Sequence, residues 1–129
     1  VNYTEFFVDK IYDEYLANKN LNVVVDVGAN LGVWTEYIKH IASCKKIYAV
    51  EPNIKALKTL KQSYTNNDVV TIVEKAMASK DGEMEFFVDN SNSGISSLSN
   101  LGNLTNSYKV KTTTFKTFVK DNNIKYIDL

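Results

Sequence analysis

Residues 21–32 read LNVVVDVGANLG, and this stretch decides the fold. Val23, Val24 and Val25 are consecutive and β-branched. Strands buried on both faces of a parallel sheet have this composition. The run passes directly into a tight turn at Gly28-Ala29-Asn30-Leu31-Gly32, where two glycines let the backbone bend and a ligand come close. An amphipathic segment follows at residues 33–43, with Trp34, Tyr37, Ile38 and Ile41 on one side. Strand, glycine turn and helix in that order place backbone amides around a space suited to an anionic group.

The pattern repeats outward from there. Residues 46–51 (KIYAVE) form a second predicted strand, and Pro52-Asn53 ends it. The Asn53 side chain suits the cap of a helix over residues 54–64, with Leu57 and Leu60 inward. Residues 69–73 predict a third strand. Upstream, Phe7, Ile11 and Tyr15 recur every four residues and predict a helix over residues 4–17, with Asn2 and Glu5 as a capping box. Downstream, Ser79-Lys80-Asp81-Gly82 reads as a turn and residues 83–88 as a strand. Residues 89–106 read as a long Ser/Asn/Gly loop. Residues 108–114 alternate like an exposed strand, 115–121 suit a short helix, and 124–129 open another buried strand. Alternating helices and strands with short connections indicate an α/β fold: a Rossmann-like, doubly wound, mostly parallel sheet with flanking helices. The expected division is an N-terminal helical segment over residues 1–20 and a partial α/β domain over 21–129.

Composition narrows the partners. The chain has 129 residues with fifteen basic and fifteen acidic side chains, and every basic one is lysine. Without a basic excess or arginine, nucleic acid is not the expected partner. No apolar run is long enough to span a membrane, and no signal peptide is visible, so the expected compartment is the cytoplasm. The single cysteine, Cys44, excludes an internal disulfide. His40, the lone histidine, falls near the end of the second helix and reads as a surface residue. Lys55, Lys58 and Lys61 read as a solvated helix face, Trp34 as helix packing, and the eight tyrosines as core.

Which ligand does the turn take? A dinucleotide fingerprint needs glycine at the first, third and sixth positions. Those positions hold Gly28, Asn30 and Val33, so two of the three fail. The Gly-Lys-Ser/Thr of a P-loop is absent too. Asp26 at the mouth of the turn either caps it or meets a ligand bearing an ammonium group; it would repel a pyrophosphate. Glu51 ends the second strand where an acidic side chain meets ribose hydroxyls, or stands there as a solvated acid.

Residues 26–32 (DVGANLG) and 49–53 (AVEPN) resemble the first two motifs of class I methyltransferases, and more narrowly the FkbM family. The order continues with Ala76, Lys80-Asp81-Gly82, the Thr-rich segment 110–115 and Ile127-Asp128-Leu129. The resemblance implies S-adenosylmethionine as cofactor. Asp26, Gly28, Ala29, Asn30 and Gly32 would hold its methionine part, and Glu51 its ribose, with Pro52 and Asn53 alongside. Lys75, Ala76 and Met77 would border the adenine. Ser96 to Leu98 resembles a serine motif near the acceptor. The implied reaction is methyl transfer to a hydroxyl oxygen of a sugar or other small molecule.

In the family, Ile-Asp-Leu precedes a further lysine, aspartate and glutamate motif. Asp128 is therefore not that active-site aspartate, and no catalytic residue is assigned in this chain. The sheet is expected to be incomplete at its C-terminal end and the chain inactive alone. One edge of the first strand is then expected to be covered only by residues 124–129, which invites self-association. The competing readings are an NAD- or nucleotide-binding Rossmann enzyme, and a non-catalytic module on a degenerate methyltransferase fold.

Overall fold

The computed structural model describes residues 10, 12–89, 96–99 and 106–129. Its centre is a parallel sheet of three strands in the order β1-β2-β3: β1 Asn20–Val27, β2 Ser43–Val50 and β3 Val70–Val73. Val24 sits beside Ile47, and Ile47 beside Val70, so the three hydrophobic runs are in register. Side chains alternate between the two faces of a strand. Val24, Ile47, Ala49 and Val70 therefore share one face, covered by Ile38 of α2 (Val33–Ile41) and by Leu57 and Leu60 of α3 (Ile54–Ser63). Tyr48 and Val50 point to the other face, against Phe118 of α4 (Phe115–Asp121) and Ile124. Helices on both faces make the sheet doubly wound, as the alternating pattern predicts.

Most boundaries agree with the sequence pattern. β2 begins earlier than expected, at Ser43 rather than residue 46. The cause is the partner strand: Ala42 turns to an extended conformation, and the Ser43 amide donates to the Lys19 carbonyl at 2.8 Å. α2 accordingly stops at Ile41. Among the described residues the first helix, α1, is the single turn Asp13–Leu16, because Ala17 is extended at ψ 133°. The remainder of the helix expected over residues 4–17, apart from Lys10 and Tyr12, lies outside the described residues, as does most of the loop expected over 89–106.

A second, small sheet stands beside the ends of these strands. Its order is β4-β6-β5, from β4 (Ala76–Met77), β5 (Gly82–Val88) and β6 (Asn106–Thr113). β5 and β6 are antiparallel, and their exposed faces pair Glu83 with Lys111 and Glu85 with Lys109. Opposite charges directly across a strand pair favour this register. On the inner face Phe86 meets Tyr108, ring centroids 5.8 Å apart. Ser97 adds a bridge to Phe87 through two backbone bonds of 2.8 and 2.9 Å. Asp81 anchors the turn before β5: it accepts from the Thr114 amide at 2.7 Å and the Thr117 hydroxyl at 2.8 Å, at the start of α4.

Residues 128 and 129 lie along β1, but residues 124–129 do not open the buried strand expected there: they take no strand conformation, and Lys125, Tyr126 and Leu129 are exposed. The Asp128 amide donates to the Val23 carbonyl, and the Val25 amide to the Leu129 carbonyl. The Asp128 carboxylate accepts from the amides of Asn22 and Val23 at 2.7 and 2.9 Å. Asp128 thus closes the start of the β1 edge. Among the described residues no helix is long and apolar enough to cross a membrane.

Candidate functional site

The C-terminal ends of β1 and β2 adjoin, so the turns that follow them meet. In open parallel sheets ligands bind at this end. Gly28 leaves β1 at φ +81°, Asn30 follows at +50°, and Gly32 enters α2 at +84°. The amides of Gly28 and Ala29 both donate to the Val50 carbonyl, at 2.9 and 3.1 Å. The turn is thereby pinned over the end of β2.

Two carboxylates stand at this junction, and both are buried. Asp26 accepts from the Thr35 hydroxyl through Oδ2 at 2.5 Å. Glu51 accepts from the Asn30 amide through Oε2 at 2.8 Å and from the Asn53 amide through Oε1 at 2.7 Å. It ties the two turns together. Burial pushes the Asp26 carboxyl above its ordinary range, and the Thr35 bond only partly offsets this. Burial also pushes Glu51 up, against the pull of its two amides, and the Asp26 charge adds to the effect.

Two adjoining hollows open here. One, of about 420 Å³, is lined by Tyr12, Asp26, Gly28, Ala29, Asn30 and Trp34 among others. The other, of about 270 Å³, is lined by Glu51, Pro52, Ala76, Met77, Phe86 and Ser96 among others. Val27, Gly28 and Asn30 belong to both, so the hollows form one continuous cleft. The side-chain oxygen of Asn30, a residue shared by both hollows, is buried and has no hydrogen-bond partner among the described residues. A buried acceptor left unpaired is costly, and a ligand donor would relieve it.

The structure brings together Asp26, Gly28, Ala29, Asn30, Glu51, Pro52, Ala76 and Met77 on the walls of this cleft. Gly32 and Asn53 stand behind it. Gly32 makes room for Leu60 and Tyr64, and the buried Asn53 caps α3 by accepting from the Lys55 amide. Ser96 and Leu98 line the second hollow, and the Asn53 amide group donates to the Ser96 hydroxyl at 3.2 Å. Trp34 both packs on the core and faces the first hollow.

Sequence reasoning missed Thr35, Phe86 and Tyr108. Thr35 carried a signal: it is a hydroxyl one turn before Ile38 on the helix face turned toward the sheet. Phe86 and Tyr108 carried none, because only the β5–β6 pairing brings them to Glu51. The Tyr108 hydroxyl accepts from the Ile54 amide at 3.0 Å and so holds the first turn of α3. Tyrosines assigned to packing also hydrogen-bond: Tyr37 donates to Asp13 at 2.5 Å, and Tyr64 to Glu36 at 3.2 Å. His40 is exposed and lines a separate hollow with Lys10, Asp13 and Tyr37. Burial pushes the Cys44 thiol up, away from reactivity. Lys55 and Lys58 are exposed, and Lys61 pairs with Glu74 at 2.8 Å.

The raised Asp26 has a measurable consequence. Folded chain binds this proton at a higher pH than unfolded chain. Its contribution to stability is full below the ordinary value of 3.8 and is lost as pH rises through the higher folded value. Asp26→Asn removes the buried charge and keeps an oxygen for Thr35. Its melting temperature at pH 7 is expected to exceed that of the parent chain by about 2–5 °C, the shift that ~1 kcal/mol produces at this length. The difference should vanish near pH 4. A lower melting temperature at pH 7 would show that the Asp26 charge stabilises the empty site.

A parallel α/β sheet with a glycine turn and two strand-end acids on one cleft defines a Rossmann-like α/β domain. The family model of the methyltransferase FkbM domain matches residues 26–129, and the chain belongs to that family. The crystal structure of methyltransferase FkbM from Methylobacillus flagellatus KT is similar in fold, with a TM-score of 0.55 at 13% sequence identity. The match covers 91% of this chain and 27% of that one, so the chain spans roughly a quarter of its length. No curated protein matches the chain.

Proposed function

We propose that this domain binds S-adenosylmethionine in the cleft between the β1 and β2 turns and serves methyl transfer to a hydroxyl oxygen of a sugar or other small molecule. One observation carries the reading: two buried carboxylates, Asp26 and Glu51, flank a single cleft, and the Asp26 charge adds to the cost of ionising Glu51. Lys75 lines the second hollow, yet its ammonium turns toward Asp121 at 3.8 Å. Such a site favours a ligand that brings positive charge and disfavours a pyrophosphate.

The walls suit the parts of that ligand. Asp26 is a partner for its ammonium group. Each Glu51 oxygen already accepts one amide and keeps a lone-pair position for a ribose hydroxyl. Pro52, Ala76, Met77, Phe86 and Leu98 offer apolar contact to a flat base. The Asn30 oxygen, unpartnered among the described residues, can accept a ligand donor. When bound, S-adenosylmethionine supplies an electrophilic methyl group on a sulfonium. The contribution of these residues is to bind and orient it so that an acceptor oxygen can approach in line. The hydroxyl acceptor rests on family likeness.

Calorimetry tests the reading. S-adenosylhomocysteine should bind at least about tenfold more tightly than NADH, a difference of ~1.4 kcal/mol. Tighter NADH binding would overturn it.

A further inference from the structure

We propose that Thr35 is a positioning residue for this site: its hydroxyl fixes the Asp26 carboxylate so that one oxygen is held and the other is aimed at the cationic group of the ligand. The proposal rests on the functional reading of the cleft given above.

Thr35 has no exposed surface. It lies in the first turn of α2, nine residues after Asp26, and its Oγ1 donates to Asp26 Oδ2 at 2.5 Å. A threonine inside a helix ordinarily turns its hydroxyl back to a carbonyl of the preceding turn. Here the hydroxyl reaches out of the helix to the end of β1. Two elements are coupled by that bond: the strand that carries Asp26, and the helix whose first amides face the turn. A carboxylate is a rigid plane, so holding Oδ2 sets the direction of Oδ1. Asp26 lines the larger hollow, the space in which a ligand would lie.

A donor on Asp26 also favours its ionised form. The titratable groups that bear on Asp26 are Glu51 from the end of β2 and Tyr64 from α3, with Tyr12 on the same hollow. Glu36, next to Thr35 on α2, bonds to Lys39 and Tyr64 instead. Among these groups none is a cation able to share the task. The Thr35 hydroxyl is the neutral donor that keeps Asp26 available as an anion.

The test is a set of variants of the whole chain, with S-adenosylhomocysteine as calorimetric probe from pH 4.5 to 8. Thr35→Val keeps the volume and removes the donor. It should bind about tenfold more weakly at pH 7, the scale for a bond to a charged group. Its loss of binding on acidification should begin at higher pH than in the parent. Thr35→Ser should stay within about threefold of the parent, since it keeps the donor. In an Asp26→Ala background, Thr35→Val should add little, because no acceptor is left for Thr35 to position. If Thr35 merely fills space, Thr35→Val leaves binding unchanged, or weakens it equally in both backgrounds without moving the acid limb; either result overturns the proposal. If Thr35→Val does not fold, Thr35→Cys, a weak donor of similar size, takes its place. Failure of the parent chain to bind the probe would count against the functional reading instead. Carbon-13 titration of Asp26 in ligand-free parent and variant would then still decide whether Thr35 holds the carboxylate: an unchanged midpoint says that it does not.

Discussion

Glu51→Ala is expected to weaken S-adenosylhomocysteine binding by about 1–3 kcal/mol, the scale for losing hydrogen bonds to a charged group. That corresponds to roughly 5- to 150-fold in dissociation constant. Two effects contribute. The first is loss of the acceptor for ribose hydroxyls. The second is release of the amides of Asn30 and Asn53, which Glu51 holds from opposite sides at 2.8 and 2.7 Å. Read from sequence, Glu51 is a strand-end acid that packs little. In the fold it is 6% exposed and braces two turns, so the substitution also costs stability. The cost should be about 1–2 kcal/mol, because the freed amides stand at a cleft that water can enter. Glu51→Gln separates the two effects. Its amide keeps one oxygen as acceptor but turns an N–H group toward the second backbone amide, so only half of the brace survives. Calorimetry and thermal melting on the same preparations read both quantities. Undiminished affinity in a folded Glu51→Ala chain would leave Glu51 as a brace alone.

The central sheet was legible because its signals are local. Three consecutive β-branched residues, a turn with glycine at both ends and a repeated strand-helix order leave few alternatives. The positions of Asp26 and Glu51 followed, since strand ends in a parallel sheet share one side. The second sheet was not legible to the same degree. β4 is two residues long, too short for any periodicity, and its pairing with β6 joins Ala76 to Thr112 across 36 positions. The wall that Phe86 and Tyr108 form beside Glu51 depends on the antiparallel β5–β6 pairing, which sets the two side by side. The early start of β2 was hidden for a related reason: Ser43 and Cys44 are extended by their partners Asn20 and Leu21, not by their own propensity. Asp128 shows the opposite case. Family likeness set it apart from the active-site aspartate, and its bonds to the amides of Asn22 and Val23 give it a place in the sheet edge.

Gly32→Ala should destabilise the chain by about 2–3 kcal/mol and loosen the site without touching any cleft residue. Two costs add. Gly32 sits at φ +84°, where an alanine pays ~1–2 kcal/mol for the crowding of its Cβ. That Cβ would also fall 2.8 Å from Leu60 Cδ2 and 3.3 Å from the Tyr64 ring. Leu60 is fully buried, so its methyl group can withdraw only by disturbing the packing of α3 on the sheet. Tyr64 is constrained as well, since its hydroxyl bonds Glu36 and Lys39 lies 5.1 Å over its ring. Gly28 is the internal control. Its φ is +81°, but nothing lies within 4 Å of a Cβ placed there. Gly28→Ala should therefore show the conformational cost alone, about 1–2 kcal/mol, while placing a methyl group in the cleft. Urea unfolding of the two variants separates strain from crowding. If Gly32→Ala is no less stable than Gly28→Ala, α3 yields to the methyl group, and the close approach of α3 to the turn plays no part in fixing the site.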